Sequence, residues 1–276
     1  MSGIQGSPFR VILLAATILT LFATAALSAD IKTLRKEAEA GDAESQFKLS
    51  VMYDKGQDVP QDSVEAFKWL VKAVNQDFPR AQFKLGLIYF LAAQNTKKQA
   101  EAGDEIARAN LGFTQAVNLF QKAAEQGESE AQHLLGAMYH DGEGVPQDYS
   151  KAFMWYRKAA EQGMVDAQFN LGFAYENGEG VPQDNAEAVK WFRKAAEQGH
   201  VRAQAQLGRL YVIGRGVPQD YVQSYFWLSL AASRSIGEDH KIISNARDEA
   251  ANMLTPEKLM EAQRMTREWE KSHPRK

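Results

Sequence analysis

Cysteine is absent from the 276-residue sequence. Disulfides, thiol catalysis and lipid attachment to a cysteine are therefore excluded, and packing alone must stabilise the folded chain. A surplus of basic residues is absent too, because 32 Lys and Arg are set against 35 Asp and Glu. Since nucleic-acid binding draws on clustered basic side chains, this mildly acidic balance argues against a nucleic-acid partner.

Motifs for catalysis and for metal or phosphate binding are missing as well. The sequence contains no HExxH, GxGxxG or Walker pattern, and its five histidines form no cluster with metal-ligand spacing. The tetrapeptide Ser45-Gln46-Phe47-Lys48 matches the SxxK motif of penicillin-recognising enzymes, but the companion SDN and KTG motifs are missing. We therefore predict no catalytic residue, no cofactor and no metal, and a chain that is not an enzyme.

Long apolar runs are absent except for one near the N-terminus. Arg10 precedes an apolar run over residues 11–27 and the small residues Ser28 and Ala29. This order is typical of a secretory signal peptide, which we predict over residues 1–29. An uncleaved membrane anchor is the alternative, since the run lies at the lower edge of spanning length. We expect an exported chain, periplasmic or secreted, with no membrane span after cleavage.

Glycine and proline, by contrast, recur within a repeated motif. GEGVPQD occurs at 142–148 and 178–184, and VPQD also at 59–62 and 217–220. Five related segments also recur, and all but the second precede a VPQD: SQFKLSVMY (45–53), AQFKLGLIY (81–89), AQHLLGAMY (131–139), AQFNLGFAY (167–175) and AQAQLGRLY (203–211). Apolar residues at helical spacing predict one helix in each segment, which the glycines end. The aspartate after each Pro-Gln is the expected N-cap of a second helix.

Two positions within the unit predict close packing. Four of the five tryptophans, Trp69, Trp155, Trp191 and Trp227, occupy the same place in the second helix. A stacked core residue explains this series better than a ligand site does. The core leucine of the first helix is followed by glycine in four units. Because glycine costs about 1 kcal/mol inside a helix, a recurrent one predicts that a neighbouring helix approaches closely.

The combined pattern A-x-x-x-L-G-x-x-Y, G-x-G-V-P-Q-D and A-x-x-W-[YF]-x-K-A-A-x-x-G resembles the Sel1-like repeat family, a relative of the tetratricopeptide repeats. The match covers about residues 43–233. It implies a right-handed, all-α solenoid of five helix-turn-helix repeats. We expect an N-terminal capping helix in 30–42 and C-terminal capping helices in 234–276. Family members typically act as protein-interaction scaffolds, and exported bacterial members often serve in envelope signalling or host contact.

The second unit departs from the pattern, because it lacks both the glycine loop and VPQD. No Gly or Pro stands between Tyr89 and Gly103. The first helix is therefore expected to run about three turns beyond its usual end. We predict a helical hairpin that protrudes around residues 92–112. It is either a partner-specific arm or a tolerated extension.

The resemblance to tetratricopeptide repeats also implies a concave binding surface on the first helices. Carried over to this sequence, that surface includes Phe47, Val51, Phe83, Leu87, Phe90, Leu91, His133, His140, Phe169, Phe173 and Arg209. An apolar groove rimmed by charge would suit an extended peptide or an amphipathic helix. The alternative is that these phenylalanines fill gaps between neighbouring helices.

The expected function is that of a non-catalytic protein–protein interaction scaffold, or adaptor, in the bacterial envelope. One specific version is a periplasmic regulator that holds a membrane sensor in one state. A cell-wall factor that binds peptidoglycan or its enzymes is the alternative. A hydrolase that acts on the cell wall or on β-lactams is a third.

Overall fold

The computed structural model describes residues 31–99 and 103–274, and the predicted signal peptide lies outside these ranges. Within them the chain is helical and contains no strand. The helices are α1 (31–39), α2 (Ala43–Lys55), α3 (Ser63–Val74), α4 (Pro79–Gln99), α5 (Gly103–Glu125), α6 (Ser129–Asp141), α7 (Tyr149–Glu161), α8 (Val165–Asn177), α9 (Asn185–Glu197), α10 (Val201–Ile213), α11 (Tyr221–Arg234), α12 (Gly237–Asn252) and α13 (Pro256–Ser272). The predicted fold class, an all-α repeat solenoid, is confirmed.

The VPQD segment joins the two helices of a repeat through a fixed set of hydrogen bonds. Gly142 ends α6 in the left-handed conformation, and Asp148 caps α7 by accepting a hydrogen bond from the Lys151 backbone. The Gln147 side chain donates to the carbonyl of His140 at 2.7 Å. The same bond recurs at Gln61, Gln183 and Gln219. The recurrent tetrapeptide is therefore a structural joint between helices.

The glycine after each core leucine lies against the second helix of its own repeat. A Cβ atom on Gly136, Gly172 or Gly208 would come within 2.4–2.7 Å of the Tyr156, Phe192 or Leu228 side chain. Real Cβ atoms essentially never approach so closely. The predicted close helix approach is therefore confirmed.

A buried glutamine links successive repeats, a feature that the sequence pattern did not reveal. Nε2 of Gln132 donates to the carbonyl of Ala124 at 2.9 Å, and its Oε1 accepts from Nε2 of Gln162 at 2.8 Å. Gln46 and Gln168 make the equivalent pairs of bonds. Because each glutamine is buried, these bonds satisfy polar groups that would otherwise be left unpaired.

The chain forms two compact units, and the boundary between them lies in α4. In the first unit, residues up to Ile88, Trp69 packs with Ala38 and Leu49. In the second unit, residues from Tyr89 onward, Phe192 belongs to a core cluster against which Trp269 packs. Trp69, Trp155 and Trp227 are buried and Trp191 is half-buried, in agreement with a packing role for the tryptophan series.

The second repeat has longer helices than the others. Helix α4 has 21 residues and α5 has 23, compared with 13 in each of α6, α8 and α10. In the second unit, a Cβ atom on Gly112 of α5 would lie 2.9 Å from the Cβ of Ala93, so these parts of α4 and α5 pack closely. Leu91, Ile106 and Leu111 remain exposed on this pair of helices.

Candidate binding clefts

The residues of the predicted concave surface fall in both units. In the first unit, Phe47, Val51, Phe83 and Leu87 are all half-buried. The ring of Phe47 lies 5.6 Å from the ring of Phe78, which follows the end of α3. Phe47 thus packs against another side chain of its own unit, and only part of it remains exposed.

Phe90 fills a gap between neighbouring helices, as the alternative interpretation of the surface phenylalanines predicts. Its ring lies 5.7 Å from the ring of Phe113 and 6.2 Å from that of Phe120, both of which are buried in α5. The neighbouring Leu91 is exposed. Phe90 therefore stabilises the contact between α4 and α5, and Leu91 is the more accessible of the two side chains.

Four of the predicted residues come together in one cleft of about 460 Å³ in the second unit. We call it the α6–α8 cleft, and its lining includes His133, His140, Phe169, Phe173, Asn170 and Arg202. Phe173 is 37% exposed, so part of its ring is available to a ligand. Asn170 and Arg202 were not predicted, because the carried-over positions did not include them.

The two histidines of this cleft have opposite electrostatic environments. Nδ1 of His140 lies 2.6 Å from Asp141 and Nε2 lies 3.2 Å from Glu179. Burial alone would lower the pKa of His140, but these hydrogen bonds outweigh it and raise the pKa above its ordinary value. Burial lowers the pKa of His133, whose Nε2 lies 3.0 Å from the amide nitrogen of Asn170. The cleft therefore holds one histidine that favours protonation and one that favours the neutral form.

A larger cleft, of about 1220 Å³, lies between α10 and α12. In this α10–α12 cleft, Arg202, Ala205, Arg209 and Val212 belong to one wall and Asp239, Ile242, Ala246, Glu249 and Met253 to the other. Phe169 and Arg202 line both clefts. Arg209 and Phe169 were predicted surface residues, whereas the α12 wall was missed. The helical spacing of Ile242, Ala246 and Met253 was the available signal, but this segment was interpreted only as a cap.

An ion pair between a buried carboxylate and a partly exposed guanidinium supports the α10 wall. Glu176 of α8 is buried, and one of its carboxylate oxygens accepts a hydrogen bond from the Arg209 guanidinium. The second oxygen, Oε2, is buried and has no hydrogen-bond partner among the described residues. Because a buried carboxylate needs a countercharge, this pair fixes the position of Arg209 at the edge of the cleft.

The SxxK segment is not arranged for nucleophilic catalysis. The Ser45 hydroxyl donates to Glu37 at 3.0 Å, and Nζ of Lys48 is paired with Glu44 at 2.8 Å. The hydrogen bond that Lys48 donates to Glu44 raises the pKa of Lys48, whereas a lysine that acts as a base needs a lowered one. Within residues 31–99 and 103–274, no group of three metal-ligating side chains is arranged to hold a metal ion. In the same ranges no helix is long and apolar enough to cross a membrane.

Comparison with known families gives a match to the Sel1 repeat over more than half of the chain. The matched segments are 43–78, 79–103, 107–128, 129–164, 165–200 and 201–235. Six segments are matched where five units were expected, because the long second unit is divided into two. The remaining matches follow the predicted register.

Solved structures with the same fold include a Sel1 repeat protein from Oxalobacter formigenes. It is 27% identical, with a TM-score of 0.64, and the match covers 88% of this chain and 96% of that one. A protective antigen present in uropathogenic Escherichia coli strains, which displays an SLR fold, is 31% identical with a TM-score of 0.52. That match covers 87% of this chain and 56% of the antigen.

A sel1-like repeat-containing protein of Acanthamoeba polyphaga mimivirus is 28% identical over 131 residues. The match covers 42% of this chain and 25% of the viral protein. The chain therefore spans about a quarter of this relative's length, and the likeness concerns the repeats.

Proposed function

Because the chain belongs to the Sel1 repeat family, whose members are generally protein-interaction scaffolds, we propose that it is a non-catalytic adaptor that binds a protein through the clefts of its second unit. The observation that carries this proposal is the partly exposed ring of Phe173 in a cleft that also contains His140, Asn170 and Arg202. Aromatic and arginine side chains in concave surroundings are typical anchors of protein interfaces.

We further propose that the adaptor works in the bacterial envelope. The support is the basic, apolar and small-residue order of residues 1–29, which is typical of an exported chain. In this location, the specific role we propose is that of a periplasmic regulator that holds a signalling protein or another envelope protein in one state.

Partner capture tests the proposed function. The immobilised chain is exposed to an envelope extract of its source organism, beside the variants Phe173→Ser and Met154→Ser. Met154 is a matched control, because it is 42% exposed and lies on α7, outside both clefts. We expect one protein to be retained by the wild type and by Met154→Ser but lost from Phe173→Ser.

Equal retention by all three forms would contradict binding through the α6–α8 cleft. If no protein is retained, the scaffold proposal fails. Saturable sedimentation of the chain with purified peptidoglycan would then support a cell-wall factor instead. Far-UV circular dichroism of each variant verifies that the helices are intact.

A further inference from the structure

We propose that the α10–α12 cleft binds one amphipathic helix of a partner protein, with acidic side chains of that helix along α10 and basic side chains along α12. This inference rests on the proposed scaffold function. It adds the conformation of the bound segment and its pattern of charge.

Both walls of the cleft carry side chains at the spacing of helix–helix packing. The α10 wall contributes Arg202, Ala205, Arg209 and Val212, and the α12 wall contributes Asp239, Ile242, Ala246, Glu249 and Met253. Successive positions on each wall are alternately three and four residues apart, which places them on one face of a helix. This alternation is the pattern by which a helix packs against another helix. The geometry therefore favours a helix over an extended strand as the ligand.

The apolar residues of the α12 wall are not covered by the rest of the described chain. Helix α12 packs mainly against α11, and Ala250 is its buried residue. Ile242 is 59% exposed, and Met253, which follows the last turn of the helix, is 61% exposed. Apolar side chains exposed along a concave surface are typical of grooves that bind the apolar face of a helix.

The dimensions of the cleft suit a short helix. Helix α10 has 13 residues and is therefore about 20 Å long. A bound helix of about four turns would run along the whole α10 wall. The cleft volume of about 1220 Å³ accommodates the apolar face of such a helix while its polar face stays in solvent.

The charges at the rim determine which helix fits. Arg202 on the α10 wall has no ion-pair partner in the part of the chain that the structure describes. Arg209 beside it is held by Glu176 but remains 44% exposed. On the α12 wall, Asp239 and Glu249 also lack ion-pair partners among the described residues. One wall thus presents positive charge and the other negative charge, which an acidic and a basic flank would complement.

Three synthetic peptides test the proposal with the full-length chain. Each has about 18 residues and the same stripe of Leu, Ile and Met. One carries Glu on both flanks, one carries Lys on both flanks, and the mixed peptide carries Glu on one flank and Lys on the other. Reversal of a helix in the cleft exchanges its two flanks, so the mixed peptide places its acidic flank along α10 in only one of the two directions. We expect it to bind in that direction. Binding is measured by fluorescence anisotropy at low salt, and helix formation by circular dichroism.

We expect the mixed peptide to bind the wild-type chain about tenfold more tightly than either other peptide, because several exposed ion pairs each contribute roughly 0.2–1 kcal/mol. In Asp239→Lys/Glu249→Lys both walls are basic, and the Glu peptide should become the tightest ligand. Glu238→Lys/Asp248→Lys makes the same charge change on α12 outside the cleft lining, and should leave the order unchanged. Arg202→Glu is an independent variant that should favour the Lys peptide.

Equal affinity of the three peptides for the wild type, or binding without a gain in helicity, would overturn the proposal. Failure of all three peptides to bind would also overturn it. A dimer of the chain alone that Asp239→Lys/Glu249→Lys dissociates would assign the cleft to a second copy, which contradicts a partner helix. The scaffold function would survive each of these results if capture still depends on Phe173.

Discussion

At the scale of single residues, the buried glutamines show where the repeat array ends. Gln132 and Gln168 each accept a hydrogen bond from a glutamine 30 residues later in the chain. Arg234 stands at the equivalent place after Gln204, whose Oε1 has no hydrogen-bond partner among the described residues. Arg234 instead donates to the carbonyl of His273 and lies over the ring of Trp269. Arg234, which replaces the glutamine of earlier repeats, thus contributes to the attachment of α13 to the last repeat.

The two cleft histidines should respond to pH in opposite directions. The pKa of His140 is raised in the folded state, so its stabilisation is fully present below the unfolded-state pKa of about 6.5 and is lost as pH rises through the folded-state value. We therefore expect His140→Gln to lose more free energy of unfolding at pH 6 than at pH 8.5. Urea unfolding at both pH values measures this difference.

His133→Gln provides the matched comparison on the same helix. Burial lowers the pKa of His133, so the folded protein resists its protonation and loses stability as pH falls below about 6.5. Relative to this variant, the wild type should be more stable at pH 8.5 than at pH 6. A pH dependence of the same sign for both variants would contradict the assigned environments.

At the scale of the element, the loop between the two helices of a repeat is also a contact between repeats. Gly178 and Gly180 both have positive φ angles, +75° and +71°. A Cβ atom on Gly178 would make an ordinary contact of 3.4 Å with Gln183. On Gly180 it would lie 2.1 Å from the backbone carbonyl oxygen of Tyr149, at the start of α7 in the preceding repeat. The second glycine therefore admits the neighbouring helix.

Alanine substitutions at these two positions distinguish the free-energy cost of the backbone conformation from the cost of lost close packing. Gly178→Ala and Gly180→Ala should share a conformational cost of about 1–2 kcal/mol. Gly180→Ala should lose about a further 1–3 kcal/mol, because its methyl group cannot fit against a helix backbone. The free energies of unfolding from urea titrations test this difference. Equal losses would show that the loop does not depend on the close approach.

Repeat elements were predictable from the sequence because their signals are local. The cap at Asp148 and the glycine that ends α6 follow from residue type and position alone. The open face of α12 was not predictable, since spacing identifies an apolar stripe but not whether another element covers it. Phe90 illustrates the converse, because its place in the repeat suggested an exposed groove whereas its ring contacts α5.

At the scale of the whole molecule, the family and fold class were predictable, but the residues that line the two clefts were predicted only in part. The same first-helix pattern occurs in all five repeats, so the irregular second unit does not obscure the periodicity. The pairing of Arg209 with Glu176 joins residues 33 apart on different helices, and no single repeat contains both. The positions of side chains that line a cleft depend on such contacts between repeats, and these contacts appear only when the helices are placed side by side.

Site-specific photo-cross-linking in living cells tests protein binding at the clefts most directly. A photoactivatable phenylalanine derivative replaces either Phe173, in the α6–α8 cleft, or Met154, on α7 outside both clefts. We predict a discrete cross-linked protein from position 173 and none from position 154. Cross-links of equal yield from both positions, or from position 154 alone, would contradict binding through the clefts of the second unit.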